Sequence, residues 1–213
     1  MISRPRLLPD GIRSARAPPA AKKEAIMQTL TIDFICSLDG YGSAVGWPGW
    51  WGMESPEYLE WLDTRPEKDQ PLLMGATTYR VMSALVAEGE PGTEVLNGIR
   101  KYVFSSSLEA PLAWENSTLI STDAVEAVRR LKEESDRPLS TIGSRSLCRS
   151  LLAAGLVDRY RVVIFPVITG ATGQERIFDD YPDVALELVE ARTFDMRTQL
   201  LEYIPTVLDG PPV

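Results

Sequence analysis

The sequence predicts an α/β fold, a three-layer sandwich with a mostly parallel central sheet and an antiparallel C-terminal hairpin. The first observation is the stretch 72–82, where a short apolar run meets Gly75 and then a helical segment entered through threonine. The second is a similar junction at 142–146. The third is the pair of alternating segments 186–194 and 199–204, which lie close enough along the chain to indicate a hairpin.

The predicted strands are short apolar or alternating runs that mostly stop at glycine, proline or serine. In chain order they cover 30–37, 72–74, 101–104, 119–120, 139–142, 159–165, 186–194 and 199–204. The helices alternate with the strands and carry start and stop signals, such as Ser55 and Pro56 before the first and Gly155 after the last. They begin at 55, 77, 123 and 144. Such alternation is typical of a parallel sheet.

The charge distribution divides the chain into a basic leader and an acidic body. The net charge is −8, yet residues 1–26 carry six basic and two acidic residues, and the remainder carries 16 basic and 28 acidic residues. An acidic body is repelled by a polyanion, so no nucleic-acid partner is predicted. No apolar run reaches the length of about 18 residues that a membrane span needs, so no membrane association is predicted.

The leader, residues 1–26, is predicted to be a disordered or mis-annotated extension, with Met27 as the start of the folded chain. Its proline pair Pro18–Pro19 and weak periodicity favour disorder over the alternatives, a targeting peptide or a nucleic-acid-binding arm. Residues 27–208 are predicted to form one domain, because no polar linker separates the periodic segments.

The chain contains two cysteines and no histidine. Cys36 and Cys148 fall on a predicted strand and a predicted helix, which indicates buried free thiols in a cytoplasmic protein. The absence of histidine excludes the Ser-His-Asp and Cys-His hydrolase arrangements. Two cysteines without histidine do not suffice for an ordinary zinc site, so no metal is predicted.

A loop rich in glycine and tryptophan follows the first strand. It contains Trp47, Trp50 and Trp51 within residues 41–52. Two interpretations stay open, since aromatic rings serve both well: the rings plug an edge of the core, or they form one wall of a pocket for a planar ligand.

Five motifs in order resemble the dihydrofolate-reductase-like superfamily, closest to the C-terminal reductase domain of bifunctional riboflavin-biosynthesis proteins and its stand-alone bacterial relatives. The motifs are Ser37-Leu38-Asp39-Gly40, Leu73-Met74-Gly75 followed by Thr78-Tyr79, Tyr102-Val103-Phe104-Ser105, Ile142-Gly143 with 151–158, and Pro166-Val167-Ile168-Thr169-Gly170. The resemblance covers about 30 to 204.

The resemblance implies a nicotinamide-dependent reductase that uses NADPH. NADH is not excluded, because Ala76 stands where dihydrofolate reductases commonly have an arginine for the 2′-phosphate. A second departure is Ser144, where the family usually has glycine. Carried over by position, the implied coenzyme-binding residues are Gly75, Thr77, Thr78, Ser105, Ser106, Gly143, Ser144, Arg145 and Ser146. One diphosphate can bridge both junctions only if they lie side by side.

The resemblance also implies a carboxylate on the first helix, and that position falls at Glu57. Glu57 is predicted to deliver the proton, although a first-turn acid also stabilises a helix N-terminus without any catalytic role. Asp39 is the competing carboxylate, with a structural role in its turn as the alternative. The predicted substrate-binding side chains are the aromatic residues Trp47, Trp50, Trp61 and Phe165.

The expected function is hydride transfer from NADPH or NADH to a C=N or similar bond in a small pterin-, pyrimidine- or flavin-precursor-like heterocycle. Dihydrofolate reductase proper is one alternative, and a non-catalytic ligand-binding protein on the same fold is another. A homodimer is a further expectation, because the strand 186–194 offers an apolar face to a second copy.

Overall fold

The structure is a computed structural model that describes residues 27–47, 51–90 and 92–210. The predicted extension 1–26 and Trp50 lie outside the described residues. Ten strands occur in the described part: β1 (Leu30–Ser37), β2 (Tyr41–Ala44), β3 (Leu72–Gly75), β4 (Lys101–Phe104), β5 (Ser117–Ile120), β6 (Leu139–Thr141), β7 (Arg159–Phe165), β8 (Gly173–Arg176), β9 (Val184–Phe194) and β10 (Thr198–Val207). The helices there are α1 (Pro56–Thr64), α2 (Ala76–Glu88), α3 (Val95–Gly98), α4 (Ala124–Glu134) and α5 (Arg145–Ala153), with one 3₁₀ turn at Gly170–Thr172.

Eight strands form the central sheet in the order β5-β4-β3-β6-β1-β7-β10-β9. The first six are mutually parallel. The last two run antiparallel as the predicted hairpin, which carries a register shift at Glu202/Tyr203. These pairings confirm the predicted fold class. The pair β2–β8 was not predicted and forms a separate antiparallel ribbon.

Helices cover both faces of the sheet, as a three-layer sandwich requires. Alternate residues of β1 point to opposite layers, so Phe34 packs with Leu151 of α5, and Ile35 packs with Tyr58 of α1. Helix α2 covers the same face as α1 through Tyr79. The core is therefore split by the sheet into a part under α4 and α5 and a part under α1 and α2. No helix in the described residues is long and apolar enough to cross a membrane.

Arg161 is the centre of a buried ion-pair network on the α1 side of the sheet. Its side chain is 8% exposed, and Nη2 lies 2.6 Å from both a Glu67 and a Glu202 carboxylate oxygen, while Nη1 lies 3.5 Å from Asp33. Burial lowers the pKa of Arg161, but the charges of Asp33 and Glu202 and the hydrogen bonds to Glu202 and Glu67 outweigh it and raise the pKa overall. The guanidinium therefore links β1, β7, β10 and the segment after α1.

Replacing Arg161 is expected to be strongly destabilising. Arg161→Met should lower the free energy of unfolding by about 3–5 kcal/mol, because it leaves carboxylates buried without their cation. Urea denaturation measures this loss. The matched control is Arg149→Met, which removes the exposed pair Arg149–Asp180 and should cost less than about 1 kcal/mol. Equal losses of unfolding free energy in the two variants would contradict the expectation that buried ion pairs matter more than exposed ones.

Candidate functional site

The two glycine junctions lie side by side at the carboxyl edge of the sheet. β3 leads through Gly75 into α2, and β6 leads through Gly143 and Ser144 into α5. β3 and β6 are parallel neighbours. The backbone N–H of Gly75 donates to Ser144 Oγ at 2.8 Å, and the same oxygen lies 2.9 Å from Thr78 Oγ1 and 3.1 Å from the Ile142 carbonyl oxygen. The adjacency that a shared diphosphate requires is therefore present.

A cleft of about 570 Å³ opens between these junctions and the end of β4. Eight of the nine predicted coenzyme-binding residues line it: Gly75, Thr77, Thr78, Ser105, Ser106, Ser144, Arg145 and Ser146. Gly143 is partly buried and lies outside the lining, and a Cβ atom there would come within 3.2 Å of Thr78 Oγ1. Its φ of +53° also favours glycine.

The electrostatics of the cleft suit an anion. The first turns of α2 and α5 open into it, and neither helix has a side-chain cap. Unpaired N–H groups and the positive ends of two helix dipoles therefore face the same space. At the end of β4, Ser105 Oγ accepts from the N–H groups of Ser107 and Leu108 at 3.1 Å each, which fixes a tight turn and leaves Ser106 exposed.

Arg145 and Glu175 are the charged residues among those that line the cleft. Arg145 begins α5, where a cation opposes the helix dipole. Its Nη1 donates to the Arg176 carbonyl oxygen at 2.8 Å, which ties α5 to β8. Glu175 was not predicted, because it comes from a strand pair with no local sequence signal.

Asp39 lies outside the cleft lining, and its contacts match the structural alternative. Its carboxylate accepts hydrogen bonds from Ser37 Oγ at 2.6 Å and from the N–H groups of Gly170 and Thr169 at 2.9 and 3.2 Å. The hydrogen bond from Ser37, together with those from the two N–H groups, lowers the pKa of Asp39 to about 2. A carboxylate with that pKa is ionised at neutral pH, and the catalytic role of Asp39 stays a prediction.

Glu57 also lies outside the cleft lining, at the N-terminus of α1. Its Oε2 accepts from the Asp195 N–H at 2.7 Å, and Asp195 Oδ2 accepts from the Glu57 N–H at 2.9 Å. These reciprocal bonds clamp α1 to the β9–β10 turn. The structural alternative for Glu57 is therefore realised in its contacts, and its role as proton donor stays a prediction.

Of the predicted substrate-binding aromatic residues, the three that the structure describes, Trp47, Trp61 and Phe165, do not line the cleft. Trp47 is 47% exposed and meets the buried Trp51 edge to face at 6.1 Å. Trp51 and Phe165 belong to the core cluster around Tyr58, and Phe165 is 0% exposed. Trp61 is half-buried. The prediction of a substrate-facing Phe165 therefore needs correction, because core side chains enclose its ring.

Trp61 lies between aromatic rings and cations. Its ring stacks on Tyr58 with centroids 5.9 Å apart, and it meets Phe194 at 5.6 Å. The guanidinium carbons of Arg65 and Arg161 lie 5.0 and 5.4 Å from its centroid. These contacts account for its burial as part of the core and the ion-pair network.

Two substitutions separate the roles of the Ser144 hydroxyl and the Ser144 backbone, which has the left-handed φ of 66°. Ser144→Ala should lower the free energy of unfolding by about 1 kcal/mol or more, because the Gly75 N–H and Thr78 Oγ1 lose their hydrogen bonds to the Ser144 hydroxyl. Ser144→Gly loses the same bonds but relieves the backbone, so it should be about 1 kcal/mol more stable than the alanine variant. Urea denaturation measures both values, and equal stabilities would contradict the strain at this residue.

Comparison with known proteins gives the family of the chain. A family model described as the RibD C-terminal domain matches residues 28–200. The uncharacterized protein YyaP of Bacillus subtilis (strain 168) is 25% identical over 185 residues, which cover 82% of this chain and 93% of that protein.

Solved structures with low identity share the fold. A pyrimidine reductase-like protein from Corynebacterium diphtheriae has a TM-score of 0.58 at 15% identity, covering 84% of this chain and 92% of that chain. Dihydrofolate reductase from Enterococcus faecalis, complexed with NADP(H) and RAB-propyl, has a TM-score of 0.58 at 14% identity, covering 83% of this chain and 96% of that chain. Since the family model spans most of the sequence and every residue that lines the cleft, this chain belongs to the RibD C-terminal domain family.

Proposed function

We propose that this chain is a reductase that transfers hydride from a nicotinamide coenzyme to a C=N or similarly polarised bond of a pyrimidine-like heterocycle. The observation that carries the proposal is the cleft at which two helix N-termini meet beside a serine turn. Family membership supports the reaction class. The fold shared with a pyrimidine reductase-like protein and with an NADP(H)-bound reductase supports the substrate and coenzyme classes.

The residues of the cleft suit the diphosphate and one ribose of a dinucleotide. First-turn N–H groups of α2 and α5 donate to the diphosphate, joined by the hydroxyls of Thr77 and Ser146. The exposed serines after β4, Ser106 and Ser107, take the adenosine ribose. When bound, the coenzyme supplies the hydride. The chain contributes position, since a fixed distance and angle between two reactants lowers the entropic part of the barrier.

NADPH is the first candidate coenzyme because of the family, and NADH remains the second. A 2′-phosphate adds negative charge that arginine or lysine ordinarily neutralises. Ala76 and the serine turn offer no such cation in the cleft, and Arg145 lies at the α5 junction instead.

Two proton sources remain for the reduced heterocycle. Glu57 is one, but its carboxylate would first have to exchange the Asp195 N–H for the substrate. An ordered water molecule is the other, and it requires no rearrangement of the chain.

Two alternative functions are each favoured or disfavoured by particular residues. A non-catalytic binding protein on the same fold is favoured by Ala76 and by Ser144, the two departures of the coenzyme junctions from the pattern of reductases on this fold. Dihydrofolate reductase proper is less well supported, because the arginine of that group is replaced by Ala76.

The proposal predicts coenzyme binding followed by turnover. Titration of nicotinamide fluorescence should show binding of NADPH, NADH or both. A thermal-shift screen of pyrimidines, pterins and flavin precursors with coenzyme present should then reveal one class that stabilises the protein further, by mass action. Compounds of that class should also oxidise the reduced coenzyme when they are added with the protein. Binding without oxidation across all classes would contradict turnover, and no binding of either coenzyme would overturn the reductase proposal in favour of the non-catalytic binding protein.

A charged side chain placed in the cleft tests whether the coenzyme diphosphate binds there. Ser146→Asp puts a carboxylate in the first turn of α5, where it suits the helix dipole and should not weaken the fold. It should raise the Kd of the coenzyme about tenfold or more by repelling the diphosphate. The control Ala84→Asp adds the same charge on an exposed position of α2 outside the cleft lining and should leave the Kd unchanged. Equal effects of the two variants would contradict this location.

We also propose a homodimer formed through β9, an edge strand of the sheet. β9 is exposed along almost its whole length, with Leu186, Leu188 and Val189 each about half exposed. An edge strand with unpaired N–H and C=O groups and apolar side chains is suited to pairing with a second copy.

The dimer is tested by Leu188→Lys, because an edge lysine disfavours strand pairing. Analytical ultracentrifugation should show a dimer for the wild type and a monomer for this variant. The control Val95→Lys changes another exposed apolar side chain, on α3, and should remain dimeric. A monomeric wild type would contradict the interface.

A further inference from the structure

The β2–β8 ribbon brings a carboxylate to the coenzyme cleft. Glu175 lies on β8 opposite the middle of β2, and its φ of 57° is left-handed, which is uncommon for a non-glycine residue within a strand. The ribbon can pair this closely because residue 173 is glycine: a Cβ atom there would come within 2.6 Å of the Tyr41 ring. The exposed Glu175 side chain lines the cleft.

The groups that line the cleft follow one another along the sheet edge. The strand order β4-β3-β6-β1 places the serine turn first, then the α2 junction, then the α5 junction, and the ribbon that continues from β1 comes last. Three strand spacings of about 4.8 Å separate β4 from β1, or about 14 Å. That span suits a dinucleotide lying across the strand ends rather than a single phosphate.

The chemistry of the cleft changes along this line. The two helix N-termini in the middle favour phosphate oxygens. At the ribbon end stands Glu175, whose carboxylate makes no hydrogen bond or ion pair with the described residues. The bond from Arg145 to the carbonyl of Arg176, the next residue, holds this part of the ribbon against α5. An ionised carboxylate offers only acceptors, which complement sugar hydroxyls and repel phosphate oxygens.

We propose that Glu175 binds the hydroxyl groups of the second ribose of the dinucleotide, the one on the far side of the diphosphate from the serine turn. This inference rests on the proposed coenzyme site. The diphosphate of a dinucleotide has a ribose on each side, so if the serine turn takes one, the other falls toward the ribbon. A carboxylate that accepts ribose hydroxyl hydrogen bonds is a known solution for dinucleotide recognition in other folds.

Two simple ligands isolate the second ribose. ADP carries the adenosine and the diphosphate, and ADP-ribose adds the distal sugar without the nicotinamide ring. Isothermal titration should give ADP-ribose about tenfold tighter binding than ADP to the wild type, as expected for hydrogen bonds to a charged group. In Glu175→Ala this ratio should fall to near one, while ADP binds as tightly as before or slightly more tightly. Glu175→Gln should give an intermediate ratio, because its amide keeps one acceptor.

The control is Gln174→Ala, which changes an exposed ribbon residue outside the cleft lining and should keep the wild-type ratio. Thermal unfolding of each variant verifies that it is folded. A wild-type ratio in Glu175→Ala would overturn the proposal while leaving the coenzyme cleft intact. An equal loss for both ligands would also overturn it, since the role of Glu175 would then be structural. If the wild type binds neither ligand, the coenzyme site itself is wrong and the assignment of Glu175 falls with it.

Discussion

The candidate site depends on the meeting of two helix N-termini across neighbouring strands. Two positive helix ends at close range repel each other unless an acceptor lies between them. The Ser144 hydroxyl is such an acceptor, since it takes the Gly75 N–H and contacts Thr78. One N–H is satisfied in this way, and the rest of both first turns stays directed at the cleft. The same arrangement that needs an acceptor for stability therefore supports the proposed binding of an anion in the cleft.

The fold and the core of this site could be predicted because their signals are local. Glycine after a short apolar run, with threonine or serine within the next two residues, indicates a strand-to-helix junction. The junctions at Gly75 and Gly143 were both found in this way, and eight of the nine predicted residues line one cleft. Their adjacency required the order of the strands, which the family resemblance supplied and local sequence does not.

The roles of individual side chains depended on partners that are distant in sequence. Glu57 bonds to a residue 138 positions away, and Asp39 bonds to residues 130 and 131 positions away. No spacing rule reveals such pairs. Phe165 ends a strand whose last four residues are all apolar, and such a run does not tell which layer covers each face. The burial of Arg161 could not be predicted either, because an arginine in a strand ordinarily indicates an exposed face. Here three carboxylates allow its burial.

The β2–β8 ribbon connects two parts of the molecule that a sequence comparison would treat separately. β2 continues directly into the segment that carries Trp47 and Trp51, and β8 carries Glu175 at the cleft. A change of length or shape in the tryptophan segment is therefore transmitted through one strand pairing to the wall of the cleft. Under the proposed function, a change in that loop would therefore also alter coenzyme affinity through the position of Glu175.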